Sequence, residues 1–440
     1  MQVKLAVAVT VLAGCAAASA AVFPYRFETH TLANGLKVIL VPMPAGGLVA
    51  YYSVVRTGSR DEVEPGHTGF AHFFEHMMFR GTERFPAGEY DRLITAMGAN
   101  ANAYTTDDYT CYHLTFAAED LPRVMELEAD RFQNLAYSEQ DFQTEAGAVY
   151  GEYRKGRTNP FEVLEEALRA TAFDAHTYKH TTMGFEADIA AMPTMLDYSR
   201  RFFARYYRPD NVVIVIAGDF DPAAALELVR RHYGAWKPGY QAPQVPVEPE
   251  QTAPRRVEMP YEGRTLPLLA IMWKSPAFDP ADPRVAAGLV LGELLAGDAS
   301  PLYRELVLER RTVQRLLPAF QPSRDPGLWG VIAMVADEGE LADVEASVTA
   351  AVSTLAAGPV PVERLEGVKK RLRYSFLMSL ETPDAVAGAL APMIALSGGA
   401  EAVDTLFATL ASLTPGDVQA AARALLRPER STVAVLTGRS

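Results

Sequence analysis

The fold is decided by a stretch in the middle of the chain that recurs at its end. Arg208-Pro-Asp-Asn-Val-Val-Ile-Val-Ile-Ala-Gly218 sets an Arg-Pro pair before an apolar run that ends in glycine. Arg427-Pro-Glu-Arg-Ser-Thr-Val-Ala-Val-Leu-Thr-Gly438 has the same order. Each stretch is typical of a helix that stops at the Arg-Pro pair and is followed by a buried strand. The recurrence predicts two similar units in tandem.

The starts of the two units agree as well. Val38–Val55 is rich in β-forming residues and precedes a helix predicted over Thr68–Arg80, while a predicted strand at Leu266–Trp273 precedes a helix predicted over Pro283–Leu295. We therefore predict an α+β fold with two similar domains, each a mainly antiparallel sheet with helices packed on it. Chance similarity between common strand and helix patterns is the alternative.

A proline-rich segment separates the two units. Lys237–Pro254 has almost no periodic apolar pattern, which is typical of an extended linker. The predicted domains are residues 21–237 and 263–440, with the linker at 238–262. All eight histidines lie at or before His232, so a histidine-based metal site belongs to the first domain and none is expected in the second.

Residues 1–20 have the pattern of a secretory signal peptide. Lys4 is followed by an apolar run and by the small residues Ala18-Ser-Ala20. Leu12-Ala-Gly-Cys15 also resembles a bacterial lipobox, in which Cys15 would carry a lipid. We predict export to the bacterial periplasm, either in soluble form or anchored at Cys15. No later apolar run is expected to be long enough to span a bilayer.

Charge and cysteine content narrow the possible functions. The formal net charge of −13 disfavours nucleic acid as a partner, because both would be negative. Only Cys111 remains once residues 1–20 are removed, so no disulfide within the chain is expected. Stability must come from packing.

The predicted helix Thr68–Arg80 has two chemically different faces. At about 100° per residue, His72, Glu75 and His76 fall on one side. The opposite side is apolar and suited to a core; its residues are Phe70, Phe73, Phe74, Met77 and Met78. Gly81 follows as a helix stop.

Two imidazoles one helical turn apart can bind one zinc ion, with Glu75 placed to accept a proton from water. Such a histidine pair also occurs by chance, and the chain offers a comparison. His176 and His180 have the same spacing but no glutamate between them and little helical pattern. We interpret that second pair as loop residues or polar residues that face substrate.

Spacing alone does not select the third ligand. Glu145 and Glu152 stand out because a separation of seven residues puts both on one stripe of a helix, although a solvated acidic face explains that equally well. The candidates are Glu119, Glu126, Glu128, Asp130, Glu145 and Glu152.

Together these motifs resemble the pitrilysin and insulinase-type zinc metallopeptidases, the inverzincins, in their two-domain bacterial form. The resemblance rests on His72-Phe-Phe-Glu-His76 with Glu152 seventy-six residues later, on Gly98–Thr105, and on the segment from Gly151 to Pro160. It implies that zinc, one ion per chain and with no other cofactor, is bound by His72, His76 and Glu152. It also implies a general base at Glu75 and a carboxylate at Glu145 that orients a ligand.

The resemblance further implies a clamshell chamber, of which this chain forms half, and a strand that binds substrate through Asn102 and Ala103. A turn at Thr106-Asp-Asp108 between two strands fits this role, because the first strand could offer a free edge to an extended peptide. Without the family, Asn102 would be no more than a polar strand or turn residue.

One part of the family pattern is missing. Members, or their partner subunits, supply an arginine and a tyrosine seven residues later that stabilise the tetrahedral intermediate, whereas the matching positions here are Val307 and Gln314. Tyr303 and Arg310 in a shifted register are an alternative. We predict a zinc-dependent endopeptidase that acts on peptides or unfolded polypeptides and needs a paralogous subunit in a heterodimer, with a homodimer as the alternative.

Two other functions are compatible with the sequence. A noncatalytic subunit that binds polypeptide in a processing complex is disfavoured by the intact set of His72, Glu75, His76 and Glu152. Zinc storage or sensing would make a Glu75→Gln change silent.

Overall fold

The computed structural model describes residues 21–439, so the predicted signal peptide and the lipobox at Cys15 lie outside the described residues. The strands are β1 (Glu28–Thr31), β2 (Lys37–Pro42), β3 (Leu48–Val55), β4 (Asn100–Thr105), β5 (Thr110–Ala117), β6 (Val212–Gly218), β7 (Arg255–Tyr261), β8 (Leu268–Lys274), β9 (Val313–Phe320), β10 (Leu328–Val335) and β11 (Ser431–Gly438).

The helices lie between these strands. They are α1 (Phe70–Met77), α2 (Ala87–Ala96), α3 (Leu121–Asn134), α4 (Glu139–Gly156), α5 (Pro160–Ala172), α6 (Glu186–Ala191), α7 (Leu196–Tyr206), α8 (Pro222–Tyr233), α9 (Pro283–Ala296), α10 (Pro301–Tyr303), α11 (Leu341–Ala357), α12 (Val362–Met378), α13 (Pro383–Ser397), α14 (Ala402–Ser412) and α15 (Pro415–Leu425).

The two sheets share one topology. The first has the order β1-β2-β6-β3-β5-β4 and the second β7-β11-β8-β10-β9. Each contains one parallel pair, β2 with β6 and β7 with β11, followed by three antiparallel pairings. Apart from the additional β1, the strands correspond one to one. The predicted duplicated α+β fold is confirmed.

The repeated stretch forms the interior strand β6 of the first sheet and β11 of the second. Both follow a short 3₁₀ turn that contains the Arg-Pro proline. β6 is buried along its whole length, because helices cover both faces of its sheet. Burial on both faces explains why the apolar run does not alternate with polar residues.

Two helices cross between the halves of the chain. α13, from the second half, packs on β3 and β6 of the first sheet, where Val386, Leu390 and Ile394 enter a buried cluster. α5, from the first half, packs on β7, β8 and β11 of the second sheet through Leu164 and Leu168. The predicted domains 21–237 and 263–440 are therefore not separate packing units, because each contributes a helix to the sheet of the other.

The predicted linker 238–262 is too long at its C-terminal end. Arg255–Tyr261 forms β7, which pairs in parallel with β11. Its side chains alternate between partly buried and exposed, and Pro260 is tolerated because β7 is an edge strand. The proline-rich part before it is anchored, since the Glu248 carboxylate accepts hydrogen bonds from the backbone N–H groups of Asp174, Ala175 and His176.

By length and composition, one helical stretch would suffice to cross a membrane, contrary to the expectation from sequence. Pro283–Glu309 includes α9, α10 and a π-helical turn at Arg304–Glu309, and 72% of its most apolar window is buried inside the fold. α13 and α14 pass the same test as a pair but are bent by 86°. In this structure the apolar residues of α9 form the core of the second domain.

Candidate metal centre

Helix α1 carries the predicted histidine pair and is bounded by glycines. It begins after Gly69, at φ +90°, and continues as a 3₁₀ turn from Met78 to Arg80 before Gly81, at φ +85°. The prediction of Thr68–Arg80 is confirmed with a start two residues later. A Cβ at Gly81 would lie 2.4 Å from the Phe85 carbonyl oxygen, so this stop requires glycine.

The two faces of α1 are arranged as the sequence predicts. Its apolar side is buried in the first domain's core, where Phe70, Phe73 and Phe74 are fully enclosed. His72, Glu75 and His76 lie on the partly open side. The core therefore fixes the direction in which the polar side chains point.

A buried carboxylate that the sequence analysis missed holds the start of α1. Glu62 accepts hydrogen bonds from the backbone N–H groups of Gly69 at 2.8 Å and Ala71 at 2.7 Å. Burial raises the pKa of Glu62 well above its ordinary value, although both hydrogen bonds lower it. The acidic character of the segment ahead of the helix was a signal, but it did not distinguish Glu62 from Asp61 or Glu64.

Helix α4 brings Glu152 to the two histidines. The Oε2 atom of Glu152 lies 3.6 Å from His72 Nε2 and 3.4 Å from His76 Nε2. One donor atom from each of the three residues lies within 4.8 Å of the others, the one such cluster found in residues 21–439. Among the other candidates, Glu128 is paired with buried Arg131 and Asp130 accepts from Thr82.

His72 has the properties of an unprotonated metal ligand. Its ring forms no hydrogen bond within the described residues, and Nδ1 is buried without a partner. Burial, and secondarily the nearby His76, lowers the pKa of His72 to about 4. The other ring nitrogen, Nε2, faces Glu152 and is a neutral donor of the kind that zinc coordinates.

His76 is oriented through its other ring nitrogen. Nδ1 lies 2.9 Å from Glu145 Oε1, while Arg80 donates to the second oxygen of Glu145. The hydrogen bond to Glu145 raises the pKa of His76, and the hydrogen bonds from His76 and Arg80 outweigh burial to lower the pKa of Glu145. A carboxylate behind a histidine ligand fixes its tautomer, so Glu145 lies where an orienting residue is needed. With two imidazole nitrogens and one carboxylate, the cluster fits zinc.

Glu75 lies beside the cluster and contacts β4. Its Oε2 accepts a hydrogen bond of 2.6 Å from the Thr105 hydroxyl. Burial raises the pKa of Glu75, and this hydrogen bond partly opposes the effect. A surface cavity of about 360 Å³ is lined by Glu75 and His76 together with Asn102 and Ala103 of β4. The carboxylate therefore faces space that a substrate can enter.

β4 is the last strand of its sheet, as the sequence predicts, and the turn after Thr105 leads into β5. Asn102 is exposed and Ala103 is buried against the core. The Asn102 Oδ1 atom accepts from the Ala103 N–H at 2.9 Å. The structure places both predicted substrate-binding residues on a free strand edge next to Glu75.

Comparison with known proteins identifies the family. The family described as Insulinase (Peptidase family M16) matches residues 39–186, and the one described as Peptidase M16 inactive domain matches residues 196–372. The chain belongs to peptidase family M16. The predicted resemblance is confirmed.

Several relatives of this M16 chain are named zinc proteases. The zinc protease PqqE of Helicobacter pylori is 29% identical over 83% of each chain. The mitochondrial-processing peptidase subunit beta of Bos taurus is 28% identical over 66% of this chain and 60% of its own length. A crystal structure of a protease from Helicobacter pylori superposes with a TM-score of 0.87 at 27% identity, covering 94% of this chain and 99% of the other.

The second histidine pair of the M16 chain is not substrate-facing. His176 and His180 flank a 3₁₀ turn at Thr177–Lys179, and both are buried. The prediction of a loop is confirmed, but exposure to substrate is wrong, because His176 Nε2 lies 3.0 Å from Asp325 of the second domain. This contact joins the two halves of the molecule.

The two candidate arrangements of the Arg and Tyr pair lie in the second domain. Val307 is half-buried against the second core and Gln314 is exposed on β9. In the shifted register, Tyr303 packs on the same core and the Arg310 guanidinium is bound by Glu305 and Asp343.

Proposed function

We propose that this M16 chain is a zinc-dependent endopeptidase that cleaves peptides or unfolded polypeptides. The observation that carries the proposal is the convergence of His72, His76 and Glu152 on one point, with Glu75 beside them at a free strand edge. The low pKa of His72, about 4, keeps the Nε2 atom that faces Glu152 unprotonated, as a metal ligand requires and an ion pair does not.

In this proposal the four residues divide the chemistry. His72, His76 and Glu152 would hold a zinc ion, which would supply Lewis acidity toward a substrate carbonyl and toward water. Glu75 accepts the proton of the attacking water and delivers it to the leaving amine. Its raised pKa makes the Glu75 carboxylate a stronger base toward the attacking water, and a general acid–base works best when its pKa lies nearer the operating pH.

The substrate binds as an added strand on β4. Main-chain hydrogen bonds to the edge at Asn102 and Ala103 give affinity with little dependence on sequence, which suits an unfolded chain. This proposal is supported by the position of β4 at the end of its sheet and by the adjacent cavity.

We further propose that a paralogous subunit supplies the missing arginine and tyrosine. Val307 offers no hydrogen-bond donor and Gln314 no phenol hydroxyl at the positions that the family fills with arginine and tyrosine, and Arg310 is paired with acidic side chains. One relative is itself named as a subunit of a processing peptidase. The heterodimer would close the clamshell chamber; a homodimer is the alternative, with each copy completing the other. The pattern of residues 1–20 supports a periplasmic location, with or without a lipid at Cys15.

The test measures zinc and turnover separately. The mature chain is purified, its zinc content is determined by elemental analysis, and peptide libraries are digested by the chain alone and mixed with candidate paralogues, with and without a chelator. Cleavage is expected only in a mixture and only without chelator. Glu75→Gln should retain one zinc ion per chain and abolish turnover.

Other outcomes point elsewhere. Full activity of the chain alone would contradict the proposal that a paralogous subunit is needed. Tight polypeptide binding without cleavage in any mixture would indicate a noncatalytic subunit, and a silent Glu75→Gln change would indicate zinc storage.

A further inference from the structure

The free edge of β4 ends beside Glu75. The turn after β4 closes with the Thr106 N–H donating to the Tyr109 carbonyl at 2.8 Å. Because hydrogen-bonded and open pairs alternate along an antiparallel ladder, the N–H groups of Ala103 and Thr105 point away from β5. The hydrogen bond from the Ala103 N–H to Asn102 Oδ1 agrees with this alternation. The Ala103 carbonyl points the same way, so a peptide that displaces the Asn102 side chain from the N–H can pair with β4 at Ala103.

At Thr105 the edge is occupied by the catalytic helix. The Thr105 hydroxyl donates to Glu75 Oε2 at 2.6 Å, and α1 packs directly against β4. A strand added to β4 could pair with Ala103, but two residues further on it would meet the Glu75 carboxylate. Thr105 thus lies between the substrate-binding edge and the proposed general base.

We infer that Thr105 is a positioning residue for the cleavage reaction. Its hydroxyl fixes the Glu75 carboxylate at the end of the β4 edge, so that a bound peptide pairs with β4 up to Ala103 and presents its following peptide bond to Glu75. The inference rests on the proposed peptidase function. Thr105 would link the register in which a peptide pairs with β4 to the position of Glu75.

The ladder contains a matched control for the loss of a threonine hydroxyl. Thr110 on β5 is the cross-strand partner of Thr105. Its hydroxyl is buried and donates to the Thr57 carbonyl at 3.0 Å. Thr110→Val therefore removes a buried hydrogen bond from the same pair of strands without touching Glu75.

The experiment compares Thr105→Val, Thr105→Ser and Thr110→Val in the full mature chain, with the partner subunit present if cleavage requires it. Thr105→Val is expected to lower kcat by about ten-fold or more, with KM within about twofold and zinc content unchanged. Thr105→Ser keeps the hydroxyl and should restore kcat to within about threefold. Thr110→Val should lower the thermal midpoint and leave kcat unchanged.

A crystal structure of zinc-loaded Thr105→Val provides a readout that does not depend on activity. The Glu75 carboxylate should leave its position beside residue 105. An unmoved carboxylate, an unchanged kcat in Thr105→Val, or a Thr105→Ser variant as slow as Thr105→Val would overturn the inference. If Glu75→Gln cleaves as well as the wild type, the proposed function fails. The Thr105→Val crystal structure still shows, independently of activity, whether Thr105 holds the Glu75 carboxylate in place.

Discussion

Glu145 controls the orientation of His76 from behind the metal cluster. We expect Glu145→Gln to weaken zinc binding by about 10 to 100-fold, because an amide holds the His76 ring and its tautomer less firmly than a carboxylate. Chelator competition measures the dissociation constant. Glu139→Gln, in the exposed first turn of the same helix, serves as the control. Equal zinc affinities in the two variants would contradict this role.

Only part of the site could be predicted from single residues. His72, Glu75 and His76 emerge from the sequence because one helical period places them on one face. Glu152 does not, since its approach to the histidines depends on how α4 packs against α1, and several carboxylates have acceptable spacing. Only the family resemblance selects Glu152 among them. Neither the helical pattern nor the family resemblance predicts Glu62, because its role depends on burial, which no local sequence pattern shows.

At the scale of elements, α1 is held at its start by a side chain from outside the helix. We expect Glu62→Gln to lower the free energy of unfolding of the zinc-free protein by about 1–3 kcal/mol, because one of two buried N–H groups loses its acceptor. Urea denaturation measures the loss. Glu64→Gln removes a partly exposed ion pair with Arg205 and should cost less than about 1 kcal/mol. Comparable losses would argue against a capping role for Glu62.

The sequence predicts where the strands and helices lie better than it predicts which of them pack together. Unbroken apolar runs ending in glycine identify β6 and β11 because strands buried on both faces do not alternate. The apolar faces of α5 and α13 are also visible in the sequence, but they look the same whichever sheet they cover. The exchange of these helices between the two halves therefore could not be predicted.

For the whole molecule, the exchanged helices predict that neither half folds alone. Residues 21–254 without the rest would expose α5 and also the sheet surface that α13 covers, including Val41, Val54 and Val215. At about 2 kcal/mol for each exposed side chain, six such residues cost as much as a typical domain's net stability. Size-exclusion chromatography and thermal melts should show aggregation or no cooperative transition. Co-expression with residues 255–440 should restore a soluble complex; a monomeric, cooperatively melting first half would refute the prediction.

The loop between β9 and β10 joins the two domains through Asp325. Its Oδ2 accepts from Arg60 Nε at 2.6 Å and lies 3.0 Å from His176 Nε2. Burial by itself would raise the pKa of Asp325, but the hydrogen bonds from His176 and Arg60 prevail and lower it to about 2. A carboxyl group whose pKa is lower in the folded than in the unfolded state stabilises the fold at any pH above its unfolded-state pKa. This stabilisation is lost as the pH falls toward the folded-state pKa.

Asp325→Asn is therefore expected to cost about 2 kcal/mol at pH 7, and about half of that at pH 3. Chemical denaturation of variant and wild type at several pH values measures the difference, with Asp298→Asn at an exposed site of the second domain as the control. A difference that stays constant between pH 3 and pH 7 would show that the Asp325 charge does not stabilise the contact. Convergence toward acid pH would identify the contact of Asp325 with Arg60 and His176 as an electrostatic link between the first and second domains.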